Sequence, residues 1–253
     1  MSRNLVEVEY SSPTATIYMN RPHVLNAYNE EVLDDLKQTF NQIFKREDIK
    51  SLIITGRGNK AFTVGADLNW LETLDAEQAK KISKKGQELC RYIESSSRVI
   101  IAAINGYALG GGMEIALACD LRIASTRARF GQPEVSLGII PGFDGTQRLP
   151  GIVGMGRAKE LLFTGNIIDA EQASEIGLVN KLVTPRDLIK ESQELAQEIT
   201  EQSSQAITLL KKVIKNSLDT RTSEVETEAF GTCFETKEHL ERMKNFREVI
   251  SEK

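Results

Sequence analysis

The stretch Asn105-Gly106-Tyr107-Ala108-Leu109-Gly110-Gly111-Gly112-Met113-Glu114 decides how the rest of the chain is interpreted. Three consecutive glycines cannot stabilise the interior of a helix or a strand, because glycine loses more backbone entropy on ordering than any other residue. The apolar run Ile115-Ala116-Leu117-Ala118-Cys119 follows directly, so the glycines predict a tight turn at the start of a helix. Such a helix start presents backbone N–H groups and the positive end of the helix dipole, here with the Glu114 carboxylate beside them. We therefore expect an active site that acts on a carbonyl group developing negative charge.

The composition narrows the class of protein. The chain has 253 residues, of which 40% are hydrophobic and 27% charged, which is typical of a globular protein with a substantial core. A formal net charge of -4 argues against a surface for nucleic acid, so a phosphate-bearing ligand would have to be held by local contacts. Cys90, Cys119 and Cys233 are odd in number and widely spaced, and His23 and His239 are the two histidines. We therefore expect neither a disulfide framework nor a metal site.

The N-terminus and the hydropathy of the chain predict its location. The first residues contain no apolar segment of the kind found in secretion signals and no Arg/Ser-rich amphipathic leader. No stretch approaches the roughly 18 apolar residues that a membrane-spanning helix needs. The sequence thus predicts a cytoplasmic protein without a membrane partner.

Hydrophobic periodicity predicts alternating strands and helices up to about residue 185 and helices alone beyond it. The predicted strands are Leu5–Tyr10 and Ala15–Met19 (a hairpin), Ser51–Thr55, Val99–Ile104 and Leu121–Ala124, and the predicted helices are Asn29–Arg46, Ala76–Ile93, Asp187–Thr200, Ser203–Leu218 and Thr222–Val249. Strands alternating with helices predict an α/β fold.

Three further segments share the glycine-rich or proline-rich character of the first: Ala61–Leu68, Phe130–Glu134 and Gly138–Leu149. Each has a purely structural alternative when taken alone. Asp67 can cap a helix, and Glu134 follows a proline that suits the first position of a helix, where an acidic side chain is favourable. The glycine run itself can be a packing turn.

Together, and in this order, these segments make the chain resemble the enoyl-CoA hydratase/isomerase (crotonase) family over essentially its full length. The matching segments are Asn20-Arg21-Pro22 with Asn26-Ala27, Phe62 to Leu68, Ile101 to Glu114, Phe130 to Glu134, Pro141 to Leu149, and Leu162 to Gly165 with Ala170, Ala173 and Gly177 to Val179. The resemblance implies an α/β fold in which a crotonase-like spiral of ββα units forms the catalytic core, residues 1–190. It also implies a helical trimerisation region in residues 191–253, and a homo-oligomer that is a trimer or a dimer of trimers.

The resemblance also assigns the groups that carry the reaction. The backbone N–H groups of Ala66 and Gly111 would form an oxyanion hole, and the N–H of Gly142 would help position water. Glu114 and Glu134 match the two glutamates of the family's hydratases. Our hypothesis is that Glu114 is the ionised base that activates the water and Glu134 the protonated acid; the alternative is that the coupled carboxylates share the proton. Relatives that are not hydratases often lack one glutamate, so the pair favours reversible syn hydration of a short-chain trans-2-enoyl-CoA to 3-hydroxyacyl-CoA, a reaction of fatty acid β-oxidation.

Coenzyme A is part of the implied substrate, and no further cofactor and no metal are expected. By resemblance its adenine part would lie along the backbones of Asn26, Ala27, Asp67 and Leu68, with Lys60 near the phosphates. The family often has lysine at two positions where this chain has His23 and Asn69, so the phosphate contacts are expected either to be weaker or to shift to Arg21 or Arg57. Arg57 can equally be an ordinary solvated surface residue.

Two further positions leave alternatives open. Asp144 stands where close hydratases usually have glycine; it either caps a helix before Thr146 or adds a carboxylate near the acyl end of the substrate. Trp70 either forms a wall of the acyl pocket or packs in the core.

Two other activities compete with hydration. A double-bond isomerase of the same fold, acting on enoyl-CoA or dienoyl-CoA, moves a proton between carbons and needs no water, and other acyl-CoA-processing enzymes also have this fold. Some relatives bind RNA, but the acidic composition and the absence of a basic stripe speak against that function.

Overall fold

The computed structural model describes residues 4–219 together with residues 227, 228 and 232. The strands are β1 (Val6–Ser11), β2 (Thr14–Met19), β3 (Ser51–Gly56), β4 (Ala61–Thr63), β5 (Val99–Ile104), β6 (Tyr107–Leu109), β7 (Leu121–Ser125), β8 (Arg129–Gly131), β9 (Ile167–Asp169) and β10 (Lys181–Val183). The α-helices are α1 (Glu30–Phe44), α2 (Leu68–Leu71), α3 (Ala76–Glu94), α4 (Gly111–Ala118), α5 (Gly145–Val153), α6 (Met155–Thr164), α7 (Ala170–Glu175), α8 (Leu188–Thr200) and α9 (Ser204–Asp219). Short 3-10 helices span Pro22–Val24 and Pro133–Leu137. The predicted helix Thr222–Val249 lies outside the described residues, apart from three positions.

The strands form two sheets. The larger has the order β1-β2-β3-β5-β7-β10, in which the predicted β1–β2 hairpin is antiparallel and the other pairs are parallel. The smaller has the order β4-β6-β8-β9, in which β4, β6 and β8 run parallel and β9 is antiparallel to β8.

A repeated ββα unit connects the two sheets. Strands β3, β5 and β7 of the large sheet are each followed by a short strand of the small sheet, β4, β6 and β8, and then by helices. The chain thus advances from one unit to the next while both sheets gain a parallel strand. The predicted α/β spiral of ββα units is confirmed, whereas the trimerisation role of the C-terminal helices stays a prediction.

The core forms because the apolar residues recur at the spacing of each element. On α1, the side chains of Val32, Leu36, Phe40 and Ile43 are buried, and Asn29 caps the helix by accepting the N–H of Val32 at 3.1 Å. Every residue of β3 and β5 is buried, as expected for central parallel strands covered on both faces.

The chain divides into two compact units, Met1–Ile199 and Thr200–Lys253. In the first unit, α8 buries Leu188, Ser192 and Ala196, and the predicted division at residue 190 lies within this helix. In the second unit, α9 accounts for 16 residues. None of the helices in the described part of the chain is long and apolar enough to cross a membrane, and the predicted location in the cytoplasm stays a prediction.

Candidate active site

A cavity of about 1210 Å³ lies at one edge of the small sheet. The parallel strands β4, β6 and β8 end at this edge, and the loops that follow them carry Ala66, Gly111 and Glu134. Helix α3, helix α2 and the segment 137–147 supply the other walls. The cavity also contains Glu114 and Gly142, so the five residues predicted to be catalytic lie around one space.

The loop after β4 leaves one amide without a partner. Gly65 has φ 90°, which glycine adopts without strain, and its N–H donates to Thr63 Oγ1 at 3.2 Å. The N–H of Asp67 donates to the carbonyl of Tyr28 at 2.8 Å. The N–H of Ala66, between these two, makes no hydrogen bond with any residue that the structure describes. It is therefore available to a ligand in the cavity.

The start of α4 supplies a second amide. Gly110 has φ 52° and donates its N–H to the carbonyl of Gly131 at 3.0 Å. Gly111 is the first residue of the helix, so its N–H has no intrahelical partner. A Cβ on Gly65 would stand 2.9 Å from the carbonyl oxygen of Leu109 and 3.2 Å from the nitrogen of Gly111. The two loops therefore approach as closely as they do because this position has no side chain.

Glu114 lies on the first turn of α4 and is 1% exposed. Its Oε1 accepts the N–H of Phe143 at 2.8 Å and that of Gly145 at 2.7 Å. Burial raises the pKa of this carboxyl, while the N–H groups of Gly145, Phe143 and Gly142 and the charge of Arg148 act in the opposite direction. The surrounding backbone thus stabilises the ionised form in a place where water is scarce.

Two side chains from neighbouring helices hold the loop that donates to Glu114. Ser83 on α3 donates its hydroxyl to the carbonyl of Gly142 at 2.6 Å. On the other side, Arg148 donates Nη1–H to the carbonyl of Phe143 at 2.9 Å. A trans peptide places its C=O and N–H on opposite sides, so the bond from Ser83 to the Gly142 carbonyl directs the N–H of Phe143 at the carboxylate. The bond from Arg148 holds the next peptide of the same loop.

Glu134 lies in the 3-10 helix that follows β8 and is 8% exposed. Burial raises its pKa to about 7, and the nearby charge of Glu114 adds to the shift, although the N–H of Glu134 itself lowers it. Around neutral pH this carboxyl therefore carries its proton for a large part of the time. As the sequence predicts, the two glutamates meet in one cavity.

The sequence analysis gave no role to Gln132, which is 0% exposed and adjacent to Glu134. Surrounding donors and acceptors favour the amide orientation in which Nε2–H is donated to Glu134 Oε1 at 2.9 Å and Oε2 at 3.1 Å. In the opposite orientation the amide oxygen faces the carboxyl and can accept a proton from its acid form. Gln132 can therefore form a hydrogen bond with either protonation state of Glu134. Its position two residues before Glu134 is the sequence feature from which this role could have been predicted.

Asp144 occupies the N-cap position of α5, one of its two predicted alternatives, but its side chain makes no cap hydrogen bond. Its backbone is left-handed, with φ 67°, and its carboxylate accepts from Arg91 Nη2 at 3.2 Å. Both side chains line the cavity. The ion pair thus joins α3 to the loop that holds Glu114. Trp70 also lines the cavity while packing against the core, so both of its predicted alternatives apply.

Of the five residues predicted to bind coenzyme A, Leu68 lines the cavity and Asn26, Ala27, Lys60 and Asp67 do not. The Asn26 side chain is buried; Oδ1 accepts the N–H of Arg21, and Nδ2 donates to the carbonyls of Arg57 and Ala61. This side chain therefore organises the loop and is not free to meet a ligand.

The side chain of Asp67 likewise has a structural function, because it caps α2 by accepting the N–H of Asn69 at 3.2 Å. The arginines expected to replace the missing lysines are also engaged. Arg21 pairs with Asp67 at 3.3 Å. Arg57 pairs with Glu7 at 2.7 Å and with Glu9.

Lys60 is exposed. Among the residues that the structure describes, no group of three or more His, Cys, Asp or Glu side chains is arranged to hold a metal ion.

Comparison with known proteins identifies the family. The family model for enoyl-CoA hydratase/isomerase matches residues 9–252. A crotonyl-CoA hydratase of Syntrophomonas wolfei and a short-chain-enoyl-CoA hydratase of Clostridium acetobutylicum are each 42% identical to this chain, with 98% of this chain and 96% of the relative covered. The crystal structure of an enoyl-CoA hydratase from Bacillus anthracis superimposes with a TM-score of 0.93 at 36% identity, covering 97% of this chain and 96% of that one. The chain belongs to the enoyl-CoA hydratase/isomerase family.

Proposed function

We propose that the protein is an enoyl-CoA hydratase that reversibly adds water, in the syn sense, to a short-chain trans-2-enoyl-CoA. One observation carries the proposal: two amides that have no partner among the described residues and two buried carboxylates, Glu114 and Glu134, surround the same cavity. The names of the relatives from Syntrophomonas wolfei and Clostridium acetobutylicum support the same substrate class.

The thioester oxygen accepts hydrogen bonds from the N–H groups of Ala66 and Gly111. When water adds to C3, electron density moves through C2 onto this oxygen, and an enolate develops. Each amide donor in such a site stabilises the transition state by about 3 kcal/mol. The donors need no reorganisation because the loops already hold them in position.

The two glutamates move the protons. Glu114, ionised, takes one proton from the water as its oxygen bonds to C3, and Glu134, protonated, gives one proton to C2. The backbone donors around Glu114 support the first assignment, and the pKa of about 7 for Glu134 supports the second. The proton gained by Glu114 returns to Glu134 by exchange before the next turnover, so the enzyme is regenerated and one water is consumed.

Coenzyme A is bound as part of the substrate, and no additional cofactor takes part. We propose backbone contacts from Asn26, Ala27, Asp67 and Leu68 and a phosphate contact from Lys60, as the resemblance implies. The chemistry of these positions leaves Lys60 as the cation best suited to a phosphate, because Arg21 and Arg57 already pair with carboxylates. A Lys60→Ala change that leaves the affinity for CoA unaltered would contradict this contact.

We also propose a homo-oligomer, a trimer or a dimer of trimers, in which the C-terminal helical region takes part. Large apolar side chains that would otherwise meet water support an interface, among them Phe163 at 72% and, on α9, Leu210 at 58% exposure. Light scattering of the purified protein is expected to give three or six times the mass of one chain; a monomer would contradict the proposal.

The decisive experiment follows the fate of crotonyl-CoA. The protein is expected to remove the ultraviolet absorbance of the conjugated thioester and to yield 3-hydroxybutyryl-CoA. In water enriched in ¹⁸O, the new hydroxyl group carries the label, and the saturated control butyryl-CoA remains unchanged. Conversion of 3-enoyl-CoA to 2-enoyl-CoA without hydration would instead identify an isomerase.

A further inference from the structure

Tyr28 contacts the loop that carries the first amide. Its N–H donates to the carbonyl of Gly65 at 2.8 Å, and its carbonyl accepts the N–H of Asp67 at 2.8 Å. These two bonds form a parallel β-bridge between Tyr28 and Ala66, and they hold the residues on both sides of Ala66. The Tyr28 backbone therefore fixes the direction of the free Ala66 N–H.

The side chain of Tyr28 contacts the other two parts of the site. Its ring stacks on Phe143, with the centroids 5.4 Å apart and an angle of 24° between the planes. The N–H of Phe143 is one of the donors to Glu114. The hydroxyl end of Tyr28 touches Gly111, where a Cβ would overlap it. One residue thus meets both amide-bearing loops and the loop that holds the base.

The hydroxyl group of Tyr28 is available to a ligand in the cavity. The side chain is 3% exposed and borders the cavity, and its hydroxyl makes no hydrogen bond in the part of the chain that the structure describes. Burial, together with the charges of Glu114 and Glu134, raises its pKa well above the usual value, so the group keeps its proton. Because Tyr28 borders the cavity, its hydroxyl can donate a hydrogen bond to a ligand bound there.

We propose that Tyr28 is a further catalytic residue, whose hydroxyl donates a hydrogen bond to the thioester oxygen of the bound enoyl-CoA beside the N–H of Gly111. The inference rests on the proposed function, which supplies that oxygen. No proton is transferred; the hydrogen bond strengthens as negative charge accumulates on the oxygen, and it adds to the two amides.

The first test compares Tyr28→Phe with wild type on crotonyl-CoA. Because only the hydroxyl is removed, kcat is expected to fall about 10- to 100-fold, with KM and the melting temperature nearly unchanged. Tyr107→Phe, which alters a partly exposed tyrosine outside the cavity lining, is the matched control and is expected to behave as wild type. A Tyr28→Phe enzyme with wild-type kcat would overturn the proposal.

The second test measures binding and identifies the acceptor. Acetoacetyl-CoA presents a thioester oxygen that becomes negative when C2 loses a proton and the enolate forms, whereas the thioether S-butyl-CoA has no oxygen at that position. Tyr28→Phe is expected to weaken acetoacetyl-CoA about tenfold and to leave the thioether affinity unchanged. Equal effects on both ligands, or none, would overturn the assignment to the thioester oxygen. If wild type fails to hydrate crotonyl-CoA, the proposed function falls, while this binding comparison still tests the hydroxyl.

Discussion

The two carboxylates of the cavity are buried to a similar degree but have different surroundings. Glu114 lies on a regular helix and accepts backbone N–H groups at 2.7 and 2.8 Å from the segment after Pro141. Glu134 lies in a five-residue 3-10 helix and has Gln132, an amide that can donate or accept, as its neighbour. Both pKa values are raised by burial, but Glu114 accepts from the N–H groups of a backbone loop, whereas Glu134 faces a side-chain amide that can present either its N–H or its oxygen.

Under the proposed function, this difference in surroundings explains how one cavity can contain a base and an acid of the same residue type. Desolvation by itself would make both carboxyls neutral. In the proposed mechanism, the amides around Glu114 favour its ionised form, and the charge of that form raises the pKa of Glu134. We therefore expect changes in the loop between Gly142 and Gly145 to alter the pKa of Glu114.

Removing the base is the largest change. We expect Glu114→Gln to lower kcat about 1,000-fold, because the amide cannot take the proton from water. Binding of CoA thioesters should change little. The exposed Glu88→Gln on α3 is the control. Steady-state kinetics on crotonyl-CoA make the comparison; a loss of less than tenfold would contradict the role of Glu114 as the base.

Changing the acid should have a smaller effect and a distinct pH signature. Glu134→Gln is expected to lower kcat about 100-fold. In wild type the proton donor is present below its pKa of about 7 and lost above it, so kcat/KM for hydration should fall as pH rises through that value. The residual activity of Glu134→Gln should not show this fall. An identical pH profile in both enzymes would refute the assignment.

The same carboxyl should affect stability. Its folded-state pKa of about 7 lies above the ordinary value of 4.5, so the folded state holds a proton that the unfolded state has lost. The contribution of this carboxyl to stability is therefore fully present at low pH and is lost as pH rises from about 4.5 to about 7. Between pH 5 and pH 8, wild type should lose about 2 kcal/mol more than Glu134→Gln. Urea unfolding at both pH values measures this; parallel losses would show that Glu134 is not responsible.

Removing a hydrogen bond that holds the loop around Glu114 should make the surroundings of the two glutamates more alike. Ser83→Ala removes the hydrogen bond to the carbonyl of Gly142, and we expect kcat to fall about tenfold. The low-pH limb of kcat/KM should move to higher pH, because the anion loses part of its support, while the limb from Glu134 stays in place. Ser95→Ala at the end of α3 is the control. Movement of both limbs together would point to a general structural defect.

The smallest effect is expected at Asp144. Asp144→Asn keeps a residue type that tolerates the left-handed backbone but removes the ion pair with the half-exposed Arg91, worth about 0–1 kcal/mol. Activity should change less than about twofold, a barrier difference of a few tenths of a kcal/mol, for enoyl-CoA substrates of every chain length. Arg91→Gln should have the same effect on the melting temperature. A strong change in chain-length preference would instead favour a carboxylate acting at the acyl end.

Local features of the fold were predictable because they depend on neighbours in the chain. The Asn29 cap, the amphipathic α1 and the glycine turn into α4 follow from helical spacing and backbone entropy, and the structure contains each of them. The apolar runs of β3 and β5 likewise predict buried strands. The small sheet could not be predicted from the hydrophobic pattern, because β4, β6 and β8 have three residues each, too few for a periodic signal.

The chain itself determined which chemistry is present: two glycine-linked amides and two glutamates in the order of a known family. The tertiary structure sets the burial, the hydrogen bonds and the pKa values of these groups. The contacts that matter most join residues distant in sequence. They are the hydrogen bonds and ion pairs of Asn26, Arg21 and Arg57, the backbone N–H groups around Glu114, and the contact of Tyr28 with Gly111. Burial, hydrogen-bond geometry and pKa depend on such distances in space, and no local pattern encodes them.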